Sequence, residues 1–366
     1  MNIAFYIDEM NYRGIANQTF KLALSNKKIL RNKSFIFYNK INFRNKNDVI
    51  KKFKNNFSII GVSNFKEIEN FKDIYKIDFI YTQKSGNIDN WYSKKIKTLI
   101  HAAYPQKLTE IHGHNYAYVS EWLSNNFSNK KIPFIPYIVE MEKTKDNLKK
   151  HLNIKTKQIV FGCHGGESSF DLKFVKDLLL KIVKQDKQLL FLFLNINKFC
   201  DHPNIRFIKG SADEVFVQKF INTCNAMLYG RSLGESFGMA CGEFAVQNKP
   251  IISYRFNRHR AHKYNIPYDQ FHEYGSRNEL KKLLINYKSL KFQKKFKNKY
   301  QNYSKEKIMQ LFKKNFLSKN EKIVFSLKDH LINLCARVET NYYYLRHKIY
   351  NHYYNFFESK IIDIKH

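Results

Sequence analysis

The sequence predicts two doubly wound α/β domains in tandem, followed by a basic, aromatic, helical C-terminal segment. Three observations carry this expectation. Short, near-continuous runs of Ile, Val, Leu and Phe recur along the chain, as in parallel strands covered on both faces. Amphipathic stretches separate these runs, and the strand–helix–strand alternation occurs twice over. The length, 366 residues, fits two domains of ordinary size.

Element by element, strands are expected at 2–7, 34–38, 58–62, 78–82 and 97–101 in the first half, and at 158–162, 188–194, 204–208, 226–229 and 250–254 in the second. Helices are expected at 14–25, 170–184, 212–222 and 239–247. Pro133 and Pro136 mark an extended crossing, and a charged stretch follows them. The domains are accordingly set at 1–145 and 152–288, with the tail at 289–366. From Lys288 to Lys319 the tail has eleven lysines and one acid, Glu306, with Ile308, Leu311, Phe312 and Phe316 at helical spacing. Its end carries Tyr342, Tyr343, Tyr344, Tyr350, Tyr353, Tyr354, Phe356 and Phe357. Helices packed on the two domains, with solvated lysine faces, are the first expectation for this tail, and a membrane-surface or nucleic-acid platform is the second.

Composition excludes several classes. A hydrophobic fraction of 43% with 16% aromatics rules out global disorder. No apolar run approaches the roughly 18 residues of a membrane span. The first residues lack a basic n-region, an apolar core and a small-residue cleavage site, so no signal peptide is expected. Five scattered cysteines without a C-x-x-C pair fit a reduced, cytoplasmic protein rather than a disulfide scaffold or zinc module. The formal charge of +33 attracts phosphates of any kind, although 53 Lys against 11 Arg, with abundant Asn, Ile, Phe and Tyr, is also the bias of AT-rich codons. Hydrolase, P-loop and dinucleotide readings fail, because G-x-S-x-G, Walker A and G-x-G-x-x-G are all missing.

The chemistry concentrates in residues 226–250. A buried strand ends at Tyr229, a Gly- and Ser-rich turn follows, and a helix begins near Ser236. Strand ends and helix N-termini of this kind bind anions, so the backbone N–H groups of Ser236, Phe237, Gly238 and Met239 are placed for a diphosphate. Gly234 and Gly238 allow close backbone approach. Glu235 lies in the turn and Glu243 two helical turns later, one carboxylate for a sugar and one for a ribose.

The Glu235-x7-Glu243 spacing, with Gly-Glu-Ser-Phe-Gly inside it and Lys-Pro-Ile-Ile after it, resembles the donor site of retaining GT-B glycosyltransferases of the family 4 type. The resemblance covers 2–287 in architecture and 229–253 in motif. It implies two Rossmann-like domains facing a cleft, a nucleoside diphosphate sugar as donor, and hexosyl transfer to an acceptor hydroxyl with retention. It also implies that Glu243 holds the ribose hydroxyls, Glu235 contacts the transferred sugar, and 236–239 bind phosphate and sugar through backbone amides. Arg231 would hold the diphosphate and stabilise leaving-group charge. His101, closing a first-domain strand, matches a histidine set against the donor sugar. Gly14 occupies the place of an acceptor-side glycine loop with one glycine instead of two, and His112 and His114 would line the acceptor side.

The sequence departs from the family after the first strand of the second domain. An Arg and a Lys are usual there, whereas residues 162–171 contain neither. Gly162 and Ser168 would supply donors to phosphate instead, and His164 part of a charge. No metal is expected, since helix N–H groups and Arg231 can neutralise the diphosphate. The expected acceptor is a glycan or lipid-linked saccharide in surface polysaccharide synthesis, met at the inner membrane face with the Lys288–Lys319 stretch on anionic lipid. The rivals are sugar transfer to modified DNA bases and a non-catalytic nucleic-acid binder on a degenerate GT-B scaffold.

Overall fold

The structure, a computed structural model, describes residues 1–141, 144–289, 295–318 and 322–358. The chain divides into two compact units, one of Met1–Glu140 with Asn302–Arg337, the other of Met141–Gln301 with the described residues from Val338 on. The sequence reading set the tail apart as its own segment. Residues 290–294, 319–321 and 359–366 of that tail lie outside the described residues, as do 142 and 143 near the expected boundary.

The first unit holds β1 (Asn2–Ile7), β2 (Lys33–Asn39), β3 (Ile59–Val62), β4 (Phe79–Lys84), β5 (Lys97–Ala102) and β6 (Asn115–Tyr118), in sheet order β3-β2-β1-β4-β5-β6. Every pairing is parallel. Its helices are α1 (Gly14–Lys28), α2 (Asn47–Lys54) and α3 (Glu121–Ser128). Helix α3 starts where the Ser120 hydroxyl accepts from the Leu123 N–H and stops at left-handed Asn129.

In the second unit lie β7 (Ile159–His164), β8 (Leu189–Leu194), β9 (Ile205–Ile208), β10 (Ala226–Tyr229), β11 (Gly234–Glu235), β12 (Ile251–Tyr254), β13 (His259–Arg260) and β14 (Phe271–Tyr274). Its helices are α4 (Lys173–Gln185), α5 (Glu214–Thr223), α6 (Met239–Val246), α7 (Ala261–Asn265) and α8 (Arg277–Ile285). The main sheet runs β14-β12-β10-β7-β8-β9, again wholly parallel, and β11 pairs with β13 apart from it. Counted within its own unit, each sheet has the order 3-2-1-4-5-6 of doubly wound nucleotide-binding folds. Two further helices, α9 (Lys305–Phe312) and α10 (Leu327–Tyr353), complete the described chain.

All ten expected strands are present, and the fold class is the expected one. Leu189–Leu194 shows why the strands were legible: all six side chains are buried, as a strand covered on both faces requires. Helix α4 begins three residues later than expected. The N–H groups of Asp171 and Leu172 both reach the Gly230 carbonyl, which keeps this stretch extended and ties it to the end of β10.

The lysine-rich stretch packs as the first expectation for the tail has it, with its lysines 305, 307, 313 and 314 exposed. Ile308, Met309, Phe312 and Phe316 are wholly buried in the first unit. Phe312 packs 6.4 Å from the Phe5 ring and 5.9 Å from Tyr81, and Phe316 lies 5.9 Å from His101. The apolar face of this stretch is therefore core.

His101 on β5 is likewise a core residue. It is completely buried, with Nδ1 2.8 Å from the Tyr81 hydroxyl and Nε2 2.7 Å from the Ile135 carbonyl oxygen. Both ring nitrogens are engaged, so it offers none to a sugar, and the expected donor contact is corrected on that ground. Burial pushes its pKa from the ordinary 6.5 down to about 4. The unfolded chain thus takes up this proton before the folded one does. The associated stability is full above pH 6.5, drains away as pH falls toward 4, and changes no further below that. His101 alone should account for on the order of 3 kcal/mol over that window. Urea titrations at pH 7 and pH 4 should show a smaller pH-dependent loss for His101→Asn than for wild type.

Candidate functional site

In the second unit the strand order reverses at the β7–β10 pair. Open α/β sheets bind ligands beyond the carboxyl ends of the strands at such a reversal. Topology therefore places His164, which ends β7, and the segment following Tyr229, which ends β10, at one site.

The segment after β10 is held in a defined path. Asp171, just before α4, accepts from the Ser232 N–H and hydroxyl, each at 2.7 Å. Gly234 and Glu235 then pair in parallel with His259 and Arg260. Only glycine fits at 234: its φ is +69°, and a Cβ would sit 2.0 Å from the His259 carbonyl oxygen. Gly238 has φ +87° and starts α6, with a would-be Cβ 2.8 Å from the Cβ of His262. The Tyr300 hydroxyl donates to the Phe237 carbonyl at 2.7 Å, fixing the approach to the helix. The first turn of α6 holds no acid, so the positive end of its dipole is not neutralised from within.

Glu235 accepts at one oxygen from the Tyr229 hydroxyl at 2.7 Å and from Arg231 Nη1 at 2.8 Å. Burial, with the Glu235 charge next, holds the Tyr229 phenol well above its ordinary pKa, so it remains a donor. The Asn257 amide donates to the Arg231 carbonyl at 2.6 Å, and the Tyr274 hydroxyl donates to the Tyr229 carbonyl at 2.9 Å. Arg231 and Glu235, both expected at the site, are thus brought together as a partly exposed ion pair on a fixed backbone.

Glu243 is nearly buried on α6, and His164 Nε2 stands 3.0 Å from its Oε2, at an angle that does not complete a hydrogen bond. The His164 ring stacks on Phe244 at 5.8 Å. Cys163 and Cys241 lie close to this machinery, but burial, followed by the Glu235 charge, raises both thiols far above neutrality. Neither is a nucleophile at physiological pH.

Sequence reasoning missed Arg260 of β13 and Arg258 just before it. Their neighbourhood pushes His259 down to about 3, by burial first and then by the charges of Arg258 and Arg231. His262, fully buried with Nε2 3.2 Å from the Ser253 hydroxyl, is lowered by burial and then by Lys263, Arg231 and Arg260. Two neutral imidazoles therefore sit near four cationic side chains, three of them paired with carboxylates: Arg231 with Glu235, Arg260 with Glu339 and Lys263 with Glu273. A signal for this was present: four of the eleven arginines, Arg231, Arg255, Arg258 and Arg260, fall within thirty residues of a chain that otherwise uses lysine.

The remaining expected residues are placed less favourably. At Gly162 a Cβ would lie 2.3 Å from Cys224 Sγ and 3.3 Å from the Phe244 ring, so glycine there allows close strand–helix contact. Ser168 is exposed in the loop after β7. Gly14 opens α1 in the first unit, where His112 Nδ1 approaches the Glu110 carbonyl at 2.7 Å and Nε2 approaches Lys84 Nζ at 3.1 Å. Among the described residues no three His, Cys, Asp or Glu side chains are grouped to hold a metal ion, and no helix is long and apolar enough to cross a membrane.

No family model and no curated protein sequence matches the chain. Solved structures do. The glycosyltransferase of Rickettsia africae ESF-5 is 13% identical with a TM-score of 0.58, covering 95% of this chain and 98% of its own. HepE of Anabaena, in complex with UDP and glucose, is 10% identical with a TM-score of 0.64, covering 87% of this chain and 100% of its own. A putative UDP-N-acetylglucosamine 2-epimerase from Listeria monocytogenes is 9% identical with a TM-score of 0.55, covering 89% of this chain and 99% of its own. At these identities the likeness is one of fold. With the two 3-2-1-4-5-6 sheets described above, it shows that the chain has the α/β architecture of the GT-B type.

Proposed function

We propose that the protein is a glycosyltransferase that takes a nucleoside diphosphate sugar at the strand-order reversal of its second unit. The observation that carries this reading is the assembly at that reversal: the Arg231–Glu235 pair, the open N-terminus of α6, and Glu243 facing His164. The fold supports it, since HepE was solved with UDP and glucose.

In this reading Glu243 accepts from the ribose hydroxyls, Glu235 accepts from hydroxyls of a hexose, and the backbone of 236–239 donates to the diphosphate. The bond between the anomeric carbon and the diphosphate oxygen breaks as the acceptor oxygen bonds the same face of that carbon. The acceptor proton passes to the departing diphosphate. No side-chain nucleophile is needed, and the anomeric configuration is retained. Charge grows on the leaving diphosphate, where Arg231 and the helix dipole stabilise it. With Arg231 and the helix N-terminus taking that charge, the reaction as proposed needs no metal ion. The acceptor is a hydroxyl of a glycan or lipid-linked saccharide.

A second reading, isomerisation of a UDP-sugar, is favoured by the epimerases among the fold neighbours. Incubation with UDP-glucose and UDP-N-acetylglucosamine, with and without saccharide acceptors, separates the two. Transfer releases free UDP in proportion to glycosylated product and continues in EDTA. An isomerised sugar still attached to UDP would replace this reading with the second.

A further inference from the structure

Helix α10, with the π-helical turn Tyr354–Glu358 that continues it, is apolar on two opposite faces. Tyr343, His347, Tyr350 and Tyr354 recur at i, i+4, i+7 and i+11 and pack inward. Tyr343 lies under Arg260 at 4.0 Å, His347 against Tyr254 at 5.7 Å, and Tyr350 against Phe174 at 5.1 Å, while the Tyr354 hydroxyl donates to Asp177 at 2.8 Å. The second set, Val338, Tyr342, Leu345, Ile349, Tyr353 and Phe356, follows the same spacing about half a turn away. Every member is 48–60% exposed. A contiguous exposed apolar stripe of this length marks an interaction surface.

Charge decides what covers it. Arg346 flanks the stripe on one side and Lys348 on the other, both exposed. The helix has only two acids: Asp329 is buried and bonded to Ser326, and Glu339 is paired with Arg260. A second copy of the chain, also at +33, would bring cations against cations with no exposed free carboxylate on the helix to offset them. An anionic lipid headgroup layer complements the flanks, while the acyl boundary takes the Leu, Ile, Tyr and Phe side chains. Tyrosine and phenylalanine at the edge of such a stripe suit the headgroup level.

We propose that the outward face of α10 docks on an anionic bilayer surface, with the helix lying in the interfacial plane. The surface is distinct from the nucleotide site and does not depend on it. The test is flotation of the full chain with phosphatidylcholine vesicles, plain or containing one-third phosphatidylglycerol. Wild type should float with the anionic vesicles and not with the plain ones. A Leu345→Ser/Ile349→Ser double variant should bind about tenfold more weakly, with its thermal midpoint unchanged because both side chains are exposed. The proposal is overturned if wild type ignores anionic vesicles, or if the double variant floats as wild type does, which would reduce the effect to bulk charge. It is equally overturned if sedimentation without lipid shows a dimer that the double variant converts to monomer, since a second copy would then own the face.

Discussion

Arg231→Ala should lower kcat of sugar transfer by about 10²- to 10³-fold while changing KM for the donor far less, because the guanidinium acts on charge that develops as the diphosphate departs. Two physical losses combine in this variant. The leaving group loses a planar, permanently charged donor, and Glu235 loses one of its two donors, keeping only the Tyr229 hydroxyl. Arg231→Lys should recover part of the rate but not all of it, since an ammonium cannot serve carboxylate and phosphate with one rigid fork. Steady-state kinetics on both variants, with circular dichroism to establish folding, checks the split. Equal rises in KM with kcat intact would place Arg231 in ground-state binding only.

Glu243→Ala should act on the other parameter. Its carboxylate is nearly buried on α6 and is proposed to accept from two ribose hydroxyls, charge-assisted bonds each worth about 1.5–3 kcal/mol. Their loss should weaken donor affinity by about 10²-fold or more. The variant also leaves His164 facing a void where Glu243 Oε2 stood at 3.0 Å. Glu243→Gln keeps the volume and one acceptor, so it should fall between wild type and alanine. Together the two sites predict a division of labour: rate falls with Arg231 and affinity with Glu243.

Much of this arrangement was legible in the sequence because its parts are local. Tyr229, Arg231, Glu235, Gly238 and Glu243 follow one another through a strand, a turn and a helix, and parallel strands such as Leu189–Leu194 announce themselves by unbroken apolarity. Two of the four edge strands were not legible. β6 and β14 read Asn-Tyr-Ala-Tyr and Phe-His-Glu-Tyr, four residues each with polar positions inside, and they become strands only by pairing with β5 and β12. Arg258 and Arg260 were missed for a related reason. Their approach to Arg231 depends on the two-residue pairing of β11 with β13, which is fixed by the Gly234 conformation and not by any periodicity.

In the lysine-rich stretch 288–319 helical spacing was the better guide than charge: Phe312 and Phe316 fill the core beneath β1, β4 and β5, as packed helices require. In α10 both faces are apolar, and only the fold tells Tyr350 and Tyr354, which pack inward, from Leu345 and Ile349, which do not.

The proposed reaction requires the second unit to bind a nucleoside diphosphate at the β7–β10 reversal, and isothermal titration of UDP, GDP, ADP, CDP and dTDP into wild type and Glu243→Ala measures that binding. One nucleotide should bind wild type with a single site and lose about 10²-fold or more in the variant, whose thermal midpoint stays close to that of wild type. Wild type that binds none of the five, or a variant that binds as tightly as wild type, would contradict the account.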